Sequence, residues 1–203
     1  MERAFLKMDV NGLRAAGCMV MVATVLFTAS QMTAQSGQEA GGAPGTAAPS
    51  ANAPMPSPAK TASVEIAGGT IDVRYNSPQM RGRKIMGALV PWNQVWRTGA
   101  NPATTLITSV PLKFGDLLVP AGTHTIYTLP NPDKWLLIIN NQTGQWGTVY
   151  NQDQDLGRTP MMKKSLSSPQ EGMSISFENT TANSTEMHVR WEMTDVYLPV
   201  TKP

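Results

Sequence analysis

From Ser63 onward, apolar and polar residues alternate with a period of two. Ile71, Val73 and Tyr75 are interleaved with Thr70, Asp72 and Arg74, the pattern of a strand with one buried face. A Gly68-Gly69 turn precedes it. The clearest alternation lies near the C-terminus. There Met187, Val189, Trp191 and Met193 alternate with Glu186, His188, Arg190 and Glu192. This pattern predicts a core face of Met, Val and Trp and a solvated charged face that includes His188. Trp135 to Ile139 (WLLII) is instead continuous and apolar, bounded by Pro132-Asp133 and Asn140-Asn141. Such a run predicts a short strand buried on both faces.

Further strands are predicted at Thr104 to Ser109, Pro111 to Phe114, Leu117 to Val119 and Thr123 to Leu129. Gly115-Asp116 supplies a two-residue hairpin turn and Pro120-Ala121-Gly122 the next turn. Short strands at Met161 to Lys164, Met173 to Phe177 and Val196 to Val200 complete the set. The single candidate for helical geometry is a turn near Leu89 to Val95. Eight to ten short strands with turn signals between them predict an all-β fold, an antiparallel, jelly-roll-like β-sandwich.

The first sixty residues lack this alternation. Arg3, Lys7 and Arg14 precede a fifteen-residue apolar run, Ala15 to Ala29 (AAGCMVMVATVLFTA). That suits a secretory signal peptide and is short for a membrane span, which needs about 20 residues. Cleavage after Ser30 or Ala34 is the expectation, with an uncleaved anchor as the alternative. Gln35 to Lys60 is almost wholly Gly, Ala, Pro, Ser and Gln. It holds too little apolar surface to offset its ordering entropy and reads as a disordered linker. The expected organisation is therefore a signal peptide over 1–34, a linker over 35–60 and one all-β domain over 61–203.

Composition narrows the function classes. The 203 residues are 41% hydrophobic and 15% charged, with a net charge of +2. Beyond residue 30 the chain carries 13 basic against 12 acidic side chains. Near-neutrality argues against a nucleic-acid binder. The one cysteine, Cys18, lies inside the apolar leader. The mature domain is thus expected to have no disulfide, thiolate metal site or cysteine nucleophile.

One stretch is distinctive: Arg81 to Thr105 (RGRKIMGALVPWNQVWRTGANPATT). With Pro120 to Pro130 (PAGTHTIYTLP), Gln145-Trp146-Gly147, Asp155 to Met161 (DLGRTPM) and Arg190-Trp191-Glu192, it resembles a bacterial family known as domain of unknown function 2911. The resemblance covers Ser63 to Val200. It implies an exported all-β protein and brings no activity with it. Met86 stands where the family usually has an aromatic residue, and His124 where it usually has Tyr.

Candidate chemistry concentrates in that stretch. Arg83, Lys84, Trp92, Trp96, Arg97 and Asn101 lie close together along the chain, with His124 as a further candidate. Indole faces stack on sugars and apolar ligands, while Arg and Asn hydrogen-bond around them. The same tryptophans serve equally as core or loop plugs, and Arg97 as a loop scaffold. Neither a G-x-S-x-G elbow, a P-loop nor a dinucleotide fingerprint occurs in the sequence. Two histidines without metal-ligand spacing make no zinc motif, and the acidic loop at Asp153 and Asp155 is too sparse for a calcium loop.

The expected function is a non-catalytic, exported binding module for an unidentified small molecule or envelope glycan. No cofactor, metal or nucleic-acid partner is expected, and no transmembrane segment after signal cleavage. The alternatives are a carbohydrate-binding module, a hydrolase using His124, and a purely structural envelope domain.

Overall fold

The computed structural model describes residues 57–203. The leader and most of the proposed linker lie outside the described residues. Nine strands follow one another: β1 (Ala59–Ile66), β2 (Gly69–Asn76), β3 (Thr104–Thr108), β4 (Leu112–Phe114), β5 (Leu117–Val119), β6 (Gly122–Leu129), β7 (Trp135–Asn140), β8 (Asp155–Glu178) and β9 (Ser184–Thr201). Every pairing is antiparallel, and the strand order is β1-β2-β3-β6-β7-β8-β9-β4-β5. Among the described residues no helix is long and apolar enough to cross a membrane.

Ordered pairing begins earlier than side-chain composition indicates. Ala59 and Lys60 already pair with Asn76 and Tyr75, and the Ser57 and Pro58 carbonyls accept bonds from Asn76 Nδ2 and Ser77 N. These contacts use backbone atoms, so small residues serve as well as large ones. The β1–β2 turn sits one residue before its predicted place. Ala67 (φ 56°) and Gly68 (φ 77°) both take the left-handed conformation that a type I′ hairpin requires.

The long β8 joins the two halves of the sheet. Its first residues pair with β7, from Ile139↔Gly157 to Trp135↔Met161. From Met162 onward it pairs with β9. The sheet therefore folds over its main core. Ile71, Val73, Leu106, Ile126, Leu137 and Ile139 meet Phe114, Met173, Met187, Trp191 and Val200 there. The other face of β7 is also covered, with Ile138 packed beside Tyr127 and Ala103, so the WLLII run is buried on both sides as expected.

The two short strands expected at Met161 to Lys164 and Met173 to Phe177 are parts of β8. They read as separate because the ladder is broken between them. Ser165 to Ser174 of β8 stand opposite only Arg190 to Thr194 of β9. Such bulges bend a strand and re-aim its side chains.

The matching irregularity in β9 is Glu192, at φ 55°. Before it, Met187, Val189 and Trp191 are buried in the core; after it, Thr194, Val196, Leu198 and Val200 are buried. The alternation thus changes phase at Glu192. Met193, expected in the core, is 39% exposed for this reason. Glu192 itself, expected in solvent, accepts the N–H groups of Ile85 (3.0 Å) and Met86 (3.2 Å).

Those two residues belong to the connection between β2 and β3, residues 77–103, which contains most of the candidate site. The predicted helical turn at Leu89 to Val95 is absent; turns and two isolated bridges, Met86↔Val90 and Trp96↔Thr128, take its place. Local hydrogen bonds do not hold this connection alone. Met80, Asn93, Trp96 and Ala100 donate their N–H groups to Glu171, Pro130, Thr128 and Asn76.

Glu192→Ala should destabilise the domain by about 1–3 kcal/mol, since it leaves two buried N–H groups unpaired. Glu192→Gln, which keeps one acceptor oxygen, should lose less. Urea denaturation of both variants checks this; equal losses would show that the carboxylate does not hold the connection.

Candidate functional site

The 77–103 connection turns sharply where the sequence clusters Arg and Trp. Four of its residues other than glycine take the left-handed conformation: Arg81, Asn93, Thr98 and Asn101. For a β-branched residue this is strained. Thr98 is held there by hydrogen bonds on both sides. Its hydroxyl donates to Thr128 Oγ1 (3.1 Å), and its carbonyl accepts from Thr104 Oγ1 (2.9 Å). The reversal at Thr98 lets Arg97 Nε donate back to the Gly99 carbonyl (3.2 Å).

A half-enclosed cavity of about 260 Å³ lies beside this turn. Trp96, Trp191, Arg83, Arg97, Asn101 and Leu89 supply most of its side-chain wall. Trp96 stacks on Trp191, with ring centroids 5.8 Å apart and planes at 18°. Trp191 is buried and donates its Nε1–H to the Glu171 carbonyl (3.1 Å). It therefore acts as a rigid backing for Trp96, which is the more accessible of the two.

The arginines are fixed along one edge only. Arg83 donates through Nε to Met80 O (3.0 Å) and through one terminal nitrogen to Gln79 O (2.7 Å). Among the described residues no carboxylate pairs with Arg83 or Arg97. The stem of Arg97 lies against Gly147. A Cβ there would collide with Arg97 Cδ and come within 2.8 Å of Asn101 O, so this backbone approach requires glycine. The neighbouring Trp146, 52% exposed, bridges to Pro102.

Of the candidates from sequence, Arg83, Trp96, Arg97 and Asn101 line this cavity; Lys84, Trp92 and His124 do not. Lys84 is exposed. Trp92 packs edge-on to Trp135 at 6.5 Å, under Lys163 at 5.9 Å, and its Nε1 occupies the space that a Cβ on Gly87 would need. That is the plug role. His124 is buried, with Nε2 3.1 Å from Pro120 O and no partner for Nδ1. No carboxylate or hydroxyl stands within hydrogen-bond reach of it among the described residues. Trp191 was legible only as a core residue, because its pairing with Trp96 joins positions far apart in sequence.

A second polar cluster overturns the expectation of a solvated His188. That histidine is 1% exposed and Asp195 is wholly buried. His188 Nδ1 lies 2.9 Å from Asp195 Oδ1, and its ring stacks on Tyr197 at 4.9 Å. Arg190 donates through Nε to Asp195 Oδ2 (2.8 Å) and through its terminal nitrogens to Glu178. The phase change at Glu192 folds the outer face of β9 onto itself and buries His188 and Asp195. Arg190 holds the Glu178 carboxyl down at about 2, its hydrogen bonds outweighing the opposing effect of burial. At the 3₁₀ turn Gln152–Gln154, Tyr150 is pushed up to about 12, first by burial and then by its bond to Asp155. Asp155 also accepts from Arg158 and Asn140. Among the described residues no three His, Cys, Asp or Glu side chains converge as a metal site.

Fold and site together define an antiparallel all-β domain with an Arg- and Trp-lined cavity built on one long connection. The chain belongs to the family described as "Protein of unknown function (DUF2911)", whose model matches residues 57–200. No curated protein matches the chain, and no solved structure does.

The depressed Glu178 carboxyl makes stability dependent on pH. Its folded value lies below its ordinary one of 4.5, so its contribution is present above about pH 4.5 and is lost as pH falls towards about 2. Urea midpoints measured across that window should fall steeply for the wild type and less steeply for Glu178→Gln. Parallel curves would show that the Arg190 contact does not set acid stability.

Proposed function

We propose that this chain is an exported, non-catalytic binding module whose ligand occupies the cavity at Trp96 and Arg97. The observation that carries the reading is the cavity itself. It combines an indole backed by a second indole with polar groups that converge from one rigidly held connection. Ligand sites typically join an apolar wall to a few placed polar groups. Long connections within compact domains are commonly functional. A volume of about 260 Å³ lies just below the range of about 300–1,000 Å³ typical for drug-sized ligands, so the ligand is small.

Export rests on the charged N-terminus and the apolar run Ala15 to Ala29. A carbohydrate-binding reading has one specific support. Trp146 is half-exposed and sits where the 145–147 segment meets Arg97 and Asn101. An open indole of this kind suits a sugar ring. The hydrolase reading finds no support at His124, which has no acid partner among the described residues and does not line the Trp96 cavity.

A thermal-shift screen of the intact chain against monosaccharides, envelope oligosaccharides and small organic acids tests the binding reading. A ligand at a hundred times its Kd should add about 2.7 kcal/mol, which raises Tm by roughly 2–4 °C per kcal/mol. Trp96→Ala and Leu89→Ala should fold yet lose the response. Binding that survives both substitutions would place the ligand elsewhere. Cell fractionation checks export, and recovery in the cytoplasm would overturn it. The mass of the envelope fraction checks cleavage, with removal of residues through Ser30 or Ala34 expected and a full-length mass pointing to the uncleaved anchor instead.

A further inference from the structure

We infer that the ligand of this cavity is a small carboxylate, gripped by Arg97 and Arg83 and packed against Trp96; this rests on the cavity being the binding site. The first ground is charge. Two arginines line the cavity, and among the described residues that line it none is Asp or Glu. The carboxylates of Glu171 and Glu192, which hold the same connection, are already committed. Glu171 accepts from Arg81 N at 2.7 Å, and Glu192 accepts from Ile85 and Met86.

The second ground is geometry. A guanidinium presents five N–H donors in a rigid fork. Among the described residues Arg97 bonds through Nε alone, at Gly99 O, so its two terminal nitrogens remain for a ligand. Arg83 uses Nε and one terminal nitrogen, at Met80 O and Gln79 O, which leaves the other. Backbone carbonyls thus fix each head group without neutralising it. Two terminal nitrogens on one fork match the two oxygens of a carboxylate.

The third ground is size. An apolar cavity of about 150 Å³ holds a benzene ring. The present cavity of about 260 Å³ therefore takes one ring together with a carboxylate, and little more. Trp96, held flat by Trp191, is the surface for that ring. Phosphate fits less well. Binding sites for phosphate gather backbone N–H groups, and here the Ala100 N–H is already given to Asn76 O.

Isothermal titration calorimetry of the intact chain decides the matter. The probes are galacturonate and benzoate, their neutral counterparts galactose and benzyl alcohol, and inorganic phosphate. At least one acid should bind tenfold or more tightly than its neutral counterpart, and weaken as salt is raised. Arg97→Lys keeps the charge but loses the fork, and should weaken that acid tenfold or more. Arg83→Gln, at an exposed position, should weaken it while leaving the fold unchanged by circular dichroism, and so guards against misfolding of the Arg97 variant. Neutral probes that bind as well as their acids would overturn the carboxylate assignment and leave the cavity as a binding site. Phosphate that binds as tightly as either acid would overturn it too. If none of the five probes binds, the carboxylate assignment falls; the binding reading then stands or falls on the wider screen.

Discussion

The indole wall of the cavity and one tether of its connection depend on one backbone reversal, the left-handed conformation of Glu192 in β9. It changes which residues of β9 face the core, from Trp191 on one side of it to Thr194 on the other. Its carboxylate takes the N–H groups of Ile85 and Met86 and so ties the long β2–β3 connection to the sheet. Trp191, the residue before it, is the backing on which Trp96 stacks. A strand that kept its phase would not bend here, and neither the tether nor the stack would be positioned in the same way.

The connection that carries the site is long, yet it is held at many points. Most of its backbone bonds run to other parts of the chain: to β8, to the end of β6 and to Asn76. Its left-handed residues store strain, and strain persists only where surroundings over-determine it. At Thr98 those surroundings are two threonine hydroxyls. The result is a pre-organised wall. Two arginines are aimed by carbonyls rather than by carboxylates, and one tryptophan is flattened by another. The tryptophans divide between roles that no composition count separates. Trp92 and Trp135 fill space, Trp191 supports, Trp96 faces the cavity, and Trp146 stands half in solvent.

The network of His188, Arg190, Asp195 and Glu178 is the other consequence of the bend. Burial of Asp195 would be costly if it stood alone. Here it meets both an imidazole and a guanidinium, with Lys164 Nζ at 3.5 Å. His188 and Arg190 precede Glu192 in β9 and Asp195 follows it, so their bonds fasten the bend in β9. The network does not line the Trp96 cavity, and the burial of His188 and Asp195 suits a structural fastening.

What the sequence determined by itself was the part governed by local alternation. A period of two at Ile71 to Tyr75 and at Met187 to Trp191, the continuous run at Trp135 to Ile139 and the turn at Gly115 define strands because neighbouring side chains must face opposite sides of a sheet. Four of the cavity residues were legible as well, since Arg83, Trp96, Arg97 and Asn101 sit together along the chain. The tertiary structure decided what depends on contacts between distant positions. It paired Trp96 with Trp191, turned Trp92 into a plug, set His124 apart and buried His188 against Asp195. These outcomes follow from a phase change at Glu192 and bulges in β8. A pattern of apolar residues cannot show such irregularities, because one residue with positive φ reverses the facing of every residue beyond it.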